Sequence, residues 1–400
     1  MPTLHTDRRQ FLIGGVTLLG GLALPSGRLR RRPVRREPPR TLVLVELSGG
    51  NDGLNTVVPF LEKTYADARP RTALPAKDLL PIADGRGLHP NLVSLQNLYQ
   101  EGRLAIVEGC GYPKPNRSHF SSQDIWYTGR AEGKASGDGW AGRLVAELFP
   151  EERSSPHAIH VGSTAPYVLH SSTHPVVYLE IPSAYRWAQN GAAIGSSSRA
   201  GGMGCGGDPV ERIRAVARSA DASSAAIRRA AAEYRPRIEY PAVPLAEDLR
   251  TVAAILHADV GARVLSVTQT GYDTHDDQPR RHAVLLRELD ASLATFFDDI
   301  RETPAGQRTV VVVYSEFGRR VEDNASMGTD HGTAAPMFVL GAAVEGGLYG
   351  QHPSLDTLDQ GDLVFTTDFR SVFGTVIRDW FGADPARVLG AQYPALPLLS

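Results

Sequence analysis

Residues 308–341 read RTVVVVYSEFGRRVEDNASMGTDHGTAAPMFVLG, and they set two unlike things side by side. A β-branched run, Val310 to Val313, breaks off into Ser315, Glu316 and Arg319, and the pair Asp330 and His331 precedes a second apolar run. An unbroken row of valines reads as a strand buried on both faces. Acids and a histidine at the ends of such strands are explained if they serve a site there. The pattern recurs at 42–55, LVLVELSGGNDGLN, where Leu42 to Leu47 run into Asn51 and Asp52. It recurs again at 263–278, RVLSVTQTGYDTHDDQ, where the strand leads to Asp273 and His275.

Working outward from these three, further strands are expected at Leu104 to Val107, Ala158 to Val161, Val176 to Ile181 and Met337 to Leu340, with helical stretches between most of them. The longest helical stretch, 207–235, is rich in Ala and Arg and reads as a surface helix. Buried strands alternating with helices predict an α/β fold, a mostly parallel sheet with helices on both faces. Ligands in that architecture bind outside the carboxyl ends of the strands, where the three polar clusters lie.

The 400 residues, 42% hydrophobic, suffice for a large α/β core, and a net charge of −2 gives no general affinity for nucleic acid. Two cysteines, Cys110 and Cys205, make no disulfide framework, although an oxidising compartment allows one bridge. Residues 1–40 are not fold. DRRQFLIGGVTLLGGLALP, 7–25, places Arg8 and Arg9 before a short apolar stretch, Phe11 to Leu24, which is the layout of a twin-arginine export signal. The arginines at 28, 30, 31, 32, 35, 36 and 40 read as a solvated tether to a single domain over 41–400. These features predict an exported protein, periplasmic or at the cell surface, delivered by the twin-arginine translocase and held by its signal if that stays uncleaved. A Gly/Ser-rich insert at 189–208 reads as a loop beside the site or as a linker.

In GYDTHDDQ three carboxylates and an imidazole fall within five residues, a repulsion that solvent or a cation relieves. Asp52 in GGNDGLN is either a turn residue or a carboxylate free to face a ligand. Glu316 and His331 reach the same predicted rim. Carboxylates with one or two imidazoles suit zinc, manganese or iron better than calcium.

Together DRRQFL, LSGGNDGLNTVVP, NRSHFSSQDIW, GYDTHDDQ, YSEFGRR and GTDHGTAAPMFVLG resemble the exported family filed as domain of unknown function 1501, over nearly the whole chain. That family in turn resembles the alkaline phosphatase and sulfatase superfamily. The resemblance implies an alkaline-phosphatase-like fold around a mixed sheet, with one or two divalent metal ions, zinc or manganese, at its carboxyl edge. It implies Asp52 at one metal, Asp273 and His275 at the other, and His331 as a late ligand. Asp368, similar to a late Asp of the superfamily, reads as a helix N-cap. Where the superfamily ends a strand in Asp-His, this chain has Glu316-Phe317, so Glu316 replaces one carboxylate and Asp330 or His119 is needed to complete a second metal. The nucleophile register falls on Ser118 or His119, with Arg117 and Arg319 either clamping an anionic ester or forming ordinary ion pairs. The implied function is a metal-dependent hydrolase of small phosphate or sulfate esters. The alternative is a non-catalytic metal-binding scaffold with a partner in a cell-envelope complex.

Export gives the first test. Replacing Arg8 and Arg9 together by Lys should retain the protein in the cytoplasm on cell fractionation, and undiminished periplasmic recovery would overturn the signal assignment.

Overall fold

Thr41–Ser48 (β1) explains the architecture, because it is apolar on both sides. Val43, Val45 and Leu47 enter one core, while Leu42 and Leu44 enter another on the opposite face. A strand buried this way must be central and covered by helices above and below. In the computed structural model, which describes residues 39–130, 137–152, 155–180 and 223–400, it is both.

The other strands of the main sheet are β2 (Leu104–Gly111), β3 (Ala158–Val161), β4 (Val176–Leu179), β5 (Val264–Thr270), β6 (Thr309–Tyr314), β7 (Ala335–Gly341), β8 (Gly347–Tyr349) and β9 (Thr367–Asp368). Their order is β8-β2-β7-β6-β1-β5-β3-β4, and β9 pairs β2. Neighbours run parallel except β7, which is antiparallel to both β6 and β2. The sheet is therefore mixed and mostly parallel. The reversal of β7 brings its N-terminal end, and His331 just before it, to the edge where its neighbours end.

Helices cover both faces. Val93–Gln100 (α1), Pro244–Ala258 (α4) and Gln278–Ile300 (α5) close one core. His119–Thr128 (α2), Trp140–Leu148 (α3) and Phe369–Thr375 (α6) close the other. A third, smaller cluster of Leu54, Val58, Tyr65, Val321, Ala334 and Leu363 packs beneath the loops outside the sheet edge. Of the helix expected over 207–235, residues 223–233 are described and helical, and Ile227 and Ala230 on it are buried, so it covers the core with one face instead of lying free on the surface. Arg40, read as the end of the tether, instead donates to the carbonyls of Asp379 and Trp380 and stacks 4.9 Å over the Trp380 ring. Residues 1–38, the insert at 189–208 and Cys205 lie outside the described residues. Among the described residues Cys110 has no disulfide partner, and its full burial opposes ionisation of the thiol. No helix among the described residues is long and apolar enough to cross a membrane.

β1 and β5 end level at Ser48 and Thr270, and β6 ends at Tyr314, opposite Glu46, two residues earlier on the same edge. Two glycines then let the chain leave β1. Gly49 and Gly50 have φ of 119° and 78°. A Cβ on Gly49 would stand 2.4 Å from the backbone nitrogen of Asp273, and one on Gly50 would stand 2.2 Å from the Phe317 ring. Only glycine fits between these two loops.

Glu46 is a polar residue on the face of β1 that carries Leu42 and Leu44, and it is buried. Tyr127 donates to its Oε1 at 2.5 Å, and the Thr268 hydroxyl lies 3.4 Å from Oε2. Burial, and then the nearby charge of Glu316, push its carboxyl up to about 8. A raised folded pKa means that its contribution is fully present below the unfolded value and is lost as pH rises through the folded one. Glu46→Gln should therefore match the wild type in thermal stability near pH 4 and exceed it above pH 8, by on the order of a few kcal/mol. Parallel losses of both proteins between those pH values would show that Glu46 is not the group responsible.

Candidate metal centre

His331 shows how the site is built. Its Nδ1 stands 2.8 Å from the main-chain carbonyl of Arg117. A carbonyl only accepts, so Nδ1 carries the proton and Nε2 is left as a lone pair. That lone pair faces Asp273 Oδ1 at 3.0 Å and His275 Nε2 at 2.9 Å. His275 repeats the arrangement, with Nδ1 3.1 Å from Asp330 Oδ1 and Nε2 3.1 Å from Asp273 Oδ1. His119 repeats it again, with Nδ1 2.9 Å from Glu316 Oε1 and Nε2 3.6 Å from Asp273 Oδ2. Three imidazoles thus commit Nδ1 to an oxygen acceptor and turn Nε2 toward one carboxylate.

Lone pairs brought together this closely repel unless a cation or extra protons intervene. Burial lowers the pKa of His331, which weighs against protonating it. The hydrogen bond to Glu316 raises that of His119. For Asp273 burial opposes ionisation, but the hydrogen bond and charge of Arg319 outweigh it, and its pKa falls to about 2, so it is a carboxylate at any physiological pH. Donor atoms of His119, Asp273 and His331 lie within 4.8 Å of one another. Ligands about 2.1 Å from one tetrahedral ion stand ~3.4 Å apart, so the spacing and the nitrogen-oxygen donor set fit a divalent cation.

Behind these donors stands a layer of oxygens that fixes the rings. Glu316, 1% exposed, accepts from the backbone nitrogens of Gly49 and Gly50 at 2.9 and 3.2 Å and from the Ser315 hydroxyl at 3.1 Å. It holds His119 and does not join the converging donors. Asp330 stands likewise behind His275, and the hydrogen bonds from His275 and Asn324 outweigh the effect of burial and lower its pKa.

Asp52, expected as a ligand, is fully buried with its carboxylate taken by Arg69 at 2.6 Å, by the Gln278 amide and by the backbone nitrogen of Asn55 at 3.4 Å. Burial opposes its ionisation, and the charge and hydrogen bond of Arg69 outweigh that and lower its pKa. It caps the helical turn Gly53–Thr56, the turn role that its sequence also allowed. Arg319, expected at a substrate, is 1% exposed and donates to the carbonyls of Gly49, Gly50, Tyr272 and Thr329 and to Asp273 Oδ1, the last at 2.7 Å. Arg117 pairs with Asp362 at 3.0 Å. Ser118 is the N-cap residue of α2, but its hydroxyl caps nothing and is exposed beside His119. Asp368 caps α6 through the backbone nitrogen of Arg370 at 3.0 Å, as read from the sequence.

Sequence reading missed the support beneath the site. Gln278 joins Asp52 to the hydroxyls of Thr274 and Thr329, and Arg69 reaches the carbonyls of Val321 and Arg320. An arginine in DARPRTAL, 67–74, carries no local sign of burial, whereas Gln278 at the start of a long amphipathic helix could have been suspected of facing inward.

In sequence, residues 107–373 match the family model described as "Protein of unknown function (DUF1501)". No curated protein matches. In structure, the chain is similar to a protein in the alkaline phosphatase superfamily from Vibrio parahaemolyticus, at TM-score 0.40 and 11% identity over 90% of this chain and 72% of that one. It is similar to the C-terminal periplasmic domain of EcEptC from Escherichia coli at TM-score 0.40 and 11% identity, over 90% of this chain and 88% of that one. A putative sulfatase from Bacteroides thetaiotaomicron VPI-5482 matches at TM-score 0.34 and 11% identity, over 90% and 72%. Likeness at this level transfers no residue role. The sequence match spans most of the chain, and with it this protein belongs to the family of unknown function DUF1501.

Proposed function

We propose that this chain is an exported, metal-dependent hydrolase-like protein with a single divalent cation, zinc or manganese, at His119, Asp273, His275 and His331, acting on small phosphate or sulfate esters. The observation that supports it is the set of three imidazoles, each with Nδ1 anchored and Nε2 turned to the Asp273 carboxylate. A cation held there supplies positive charge that acidifies a neighbouring hydroxyl and offsets anionic charge on an ester.

The chain's own residues do the rest. Ser118 presents a free hydroxyl at the start of α2, next to the ligand His119. The first N–H groups of α2 and its dipole favour an anion at that end. Glu316 keeps the proton of His119 on Nδ1, which leaves Nε2 for the cation. Arg319 holds Asp273 ionised and in place instead of binding substrate.

A specific observation favours the second reading, a metal-binding scaffold of an envelope complex. Arg319 and Arg117 are both committed to the protein, and Arg69 neutralises Asp52, so no arginine of the site is shown free to clamp an ester. Turnover separates the two readings.

Purified protein should contain close to one zinc or manganese per chain by elemental analysis, and chelator should lower its melting temperature. At a metal concentration of 100 Kd the stabilisation is about 2.7 kcal/mol. Asp273→Asn should abolish most of that difference, and adding His331→Ala should change little more, because the two share one ion. No bound metal and an unmoved melting curve would overturn both readings. With metal bound, aryl phosphate or aryl sulfate hydrolysis that falls about a hundredfold or more in Ser118→Ala supports the hydrolase. Metal without turnover on either ester leaves the scaffold.

A further inference from the structure

We propose that Asp362 is a positioning residue for the metal ligand His331, acting through Arg117. The inference rests on the reading of His331 as a ligand.

Residues 113–118 run along the surface, with all but Arg117 exposed. From this stretch comes the Arg117 carbonyl that holds His331 Nδ1 at 2.8 Å. An exposed loop keeps an atom at hydrogen-bonding distance only where something fastens it. Its own ties are local: the backbone nitrogen of Asn116 donates to the Tyr112 hydroxyl at 3.0 Å, and that of Ser118 to Asn116 Oδ1 at 2.8 Å. Apart from the bond to His331 itself, the long-range tie among the described residues is the ion pair from Arg117 Nε to Asp362 Oδ2, 3.0 Å.

Asp362 is the fixed end of that pair. Its side chain is 4% exposed against 39% for Arg117. Its other oxygen meets Arg320 Nε at 3.3 Å, so two guanidinium groups face one buried carboxylate and offset part of the burial that opposes its ionisation. The residue lies on a short antiparallel arm, with Leu358 opposite Leu363 and Asp359 opposite Asp362. On the same arm the carbonyl of Leu363 accepts the Thr333 hydroxyl at 2.5 Å, two residues beyond His331. One arm therefore holds both the segment that carries the ligand and, through Arg117, the carbonyl that orients its ring.

The chemical consequence lies in the tautomer. While the Arg117 carbonyl stays in place, the proton of His331 sits on Nδ1 and Nε2 is a donor pair for a cation. Without the Asp362 tie the loop carries the carbonyl away, and the ring is free to place its proton on Nε2, where it opposes binding. Loss of the tie should therefore weaken metal binding more than it weakens the fold.

The test uses the full chain with zinc or cobalt alone as probe. Zinc affinity is read by competition with a chromophoric chelator well below the melting temperature, and the visible absorption of the cobalt form reports ligand number. Asp362→Asn should weaken zinc binding by roughly ten- to a hundredfold, the range for loss of an outer-layer partner, and should change the cobalt spectrum. Arg117→Gln should do the same, and the double variant should be no worse than either single one. Arg320→Gln, which removes the other partner of Asp362 but not the carbonyl link, should keep wild-type affinity and spectrum. Wild-type affinity in Asp362→Asn, or an equal loss in Arg320→Gln, overturns the inference while leaving the metal site standing. Absence of zinc and cobalt binding by the wild type would instead overturn the ligand assignment on which it rests.

Discussion

A single guanidinium ties the working edge of this protein together. Arg319 is buried, and it donates to carbonyls at the exit of β1, to the Tyr272 carbonyl and Asp273 carboxylate beyond β5, and to the Thr329 carbonyl ahead of β7. These segments come from distant parts of the sequence, and each would otherwise leave backbone oxygens without donors in a place that water barely reaches. A charge buried this way is tolerable only when its partners are held. Order at the site and order of the three strand exits are thus one property.

The acids around it are kept by separate means. Asp52 is neutralised by Arg69, Asp273 by Arg319, and Glu316 is held by backbone N–H groups and a hydroxyl. Glu46, with no cation beside it among the described residues, is kept by burial, and then by the nearby charge of Glu316, in its protonated form. Four carboxyl groups near one sheet edge would repel strongly if all were free and charged. Each having its own compensation leaves Asp273 as the carboxylate turned to the imidazoles.

The strands and the edge were legible because burial on both faces writes itself as unbroken apolar runs, and because Gly49 and Gly50 announce a sharp exit. Asp273, His275 and His331 could be picked out because they follow or precede such runs directly. Which acids would stand in front and which behind could not be read. Glu316 and Asp330 look like ligands by type and position, but imidazoles lie between them and the convergence point. His119 reads from the sequence as either nucleophile or ligand, and the start of α2 places it beside the cluster. Asp52 stands apart from the converging donors because its partner, Arg69, is a long-range contact with no local signature in the sequence.

That last substitution of partners bears on how many ions the edge is built for. A second cation near Asp52 would have to displace Arg69, a fully buried guanidinium that also donates to the carbonyls of Val321 and Arg320 and to Asn55. Expelling it would strand those oxygens and leave a positive charge to be resolvated. Glu316, the other carboxylate that the resemblance puts at a metal, is already saturated by backbone donors and His119. Both carboxylates are thus engaged by the protein's own charges and hydrogen bonds. Under the one-cation reading this leaves Asp273, held ionised by Arg319, as the carboxylate that converges with His119 and His331.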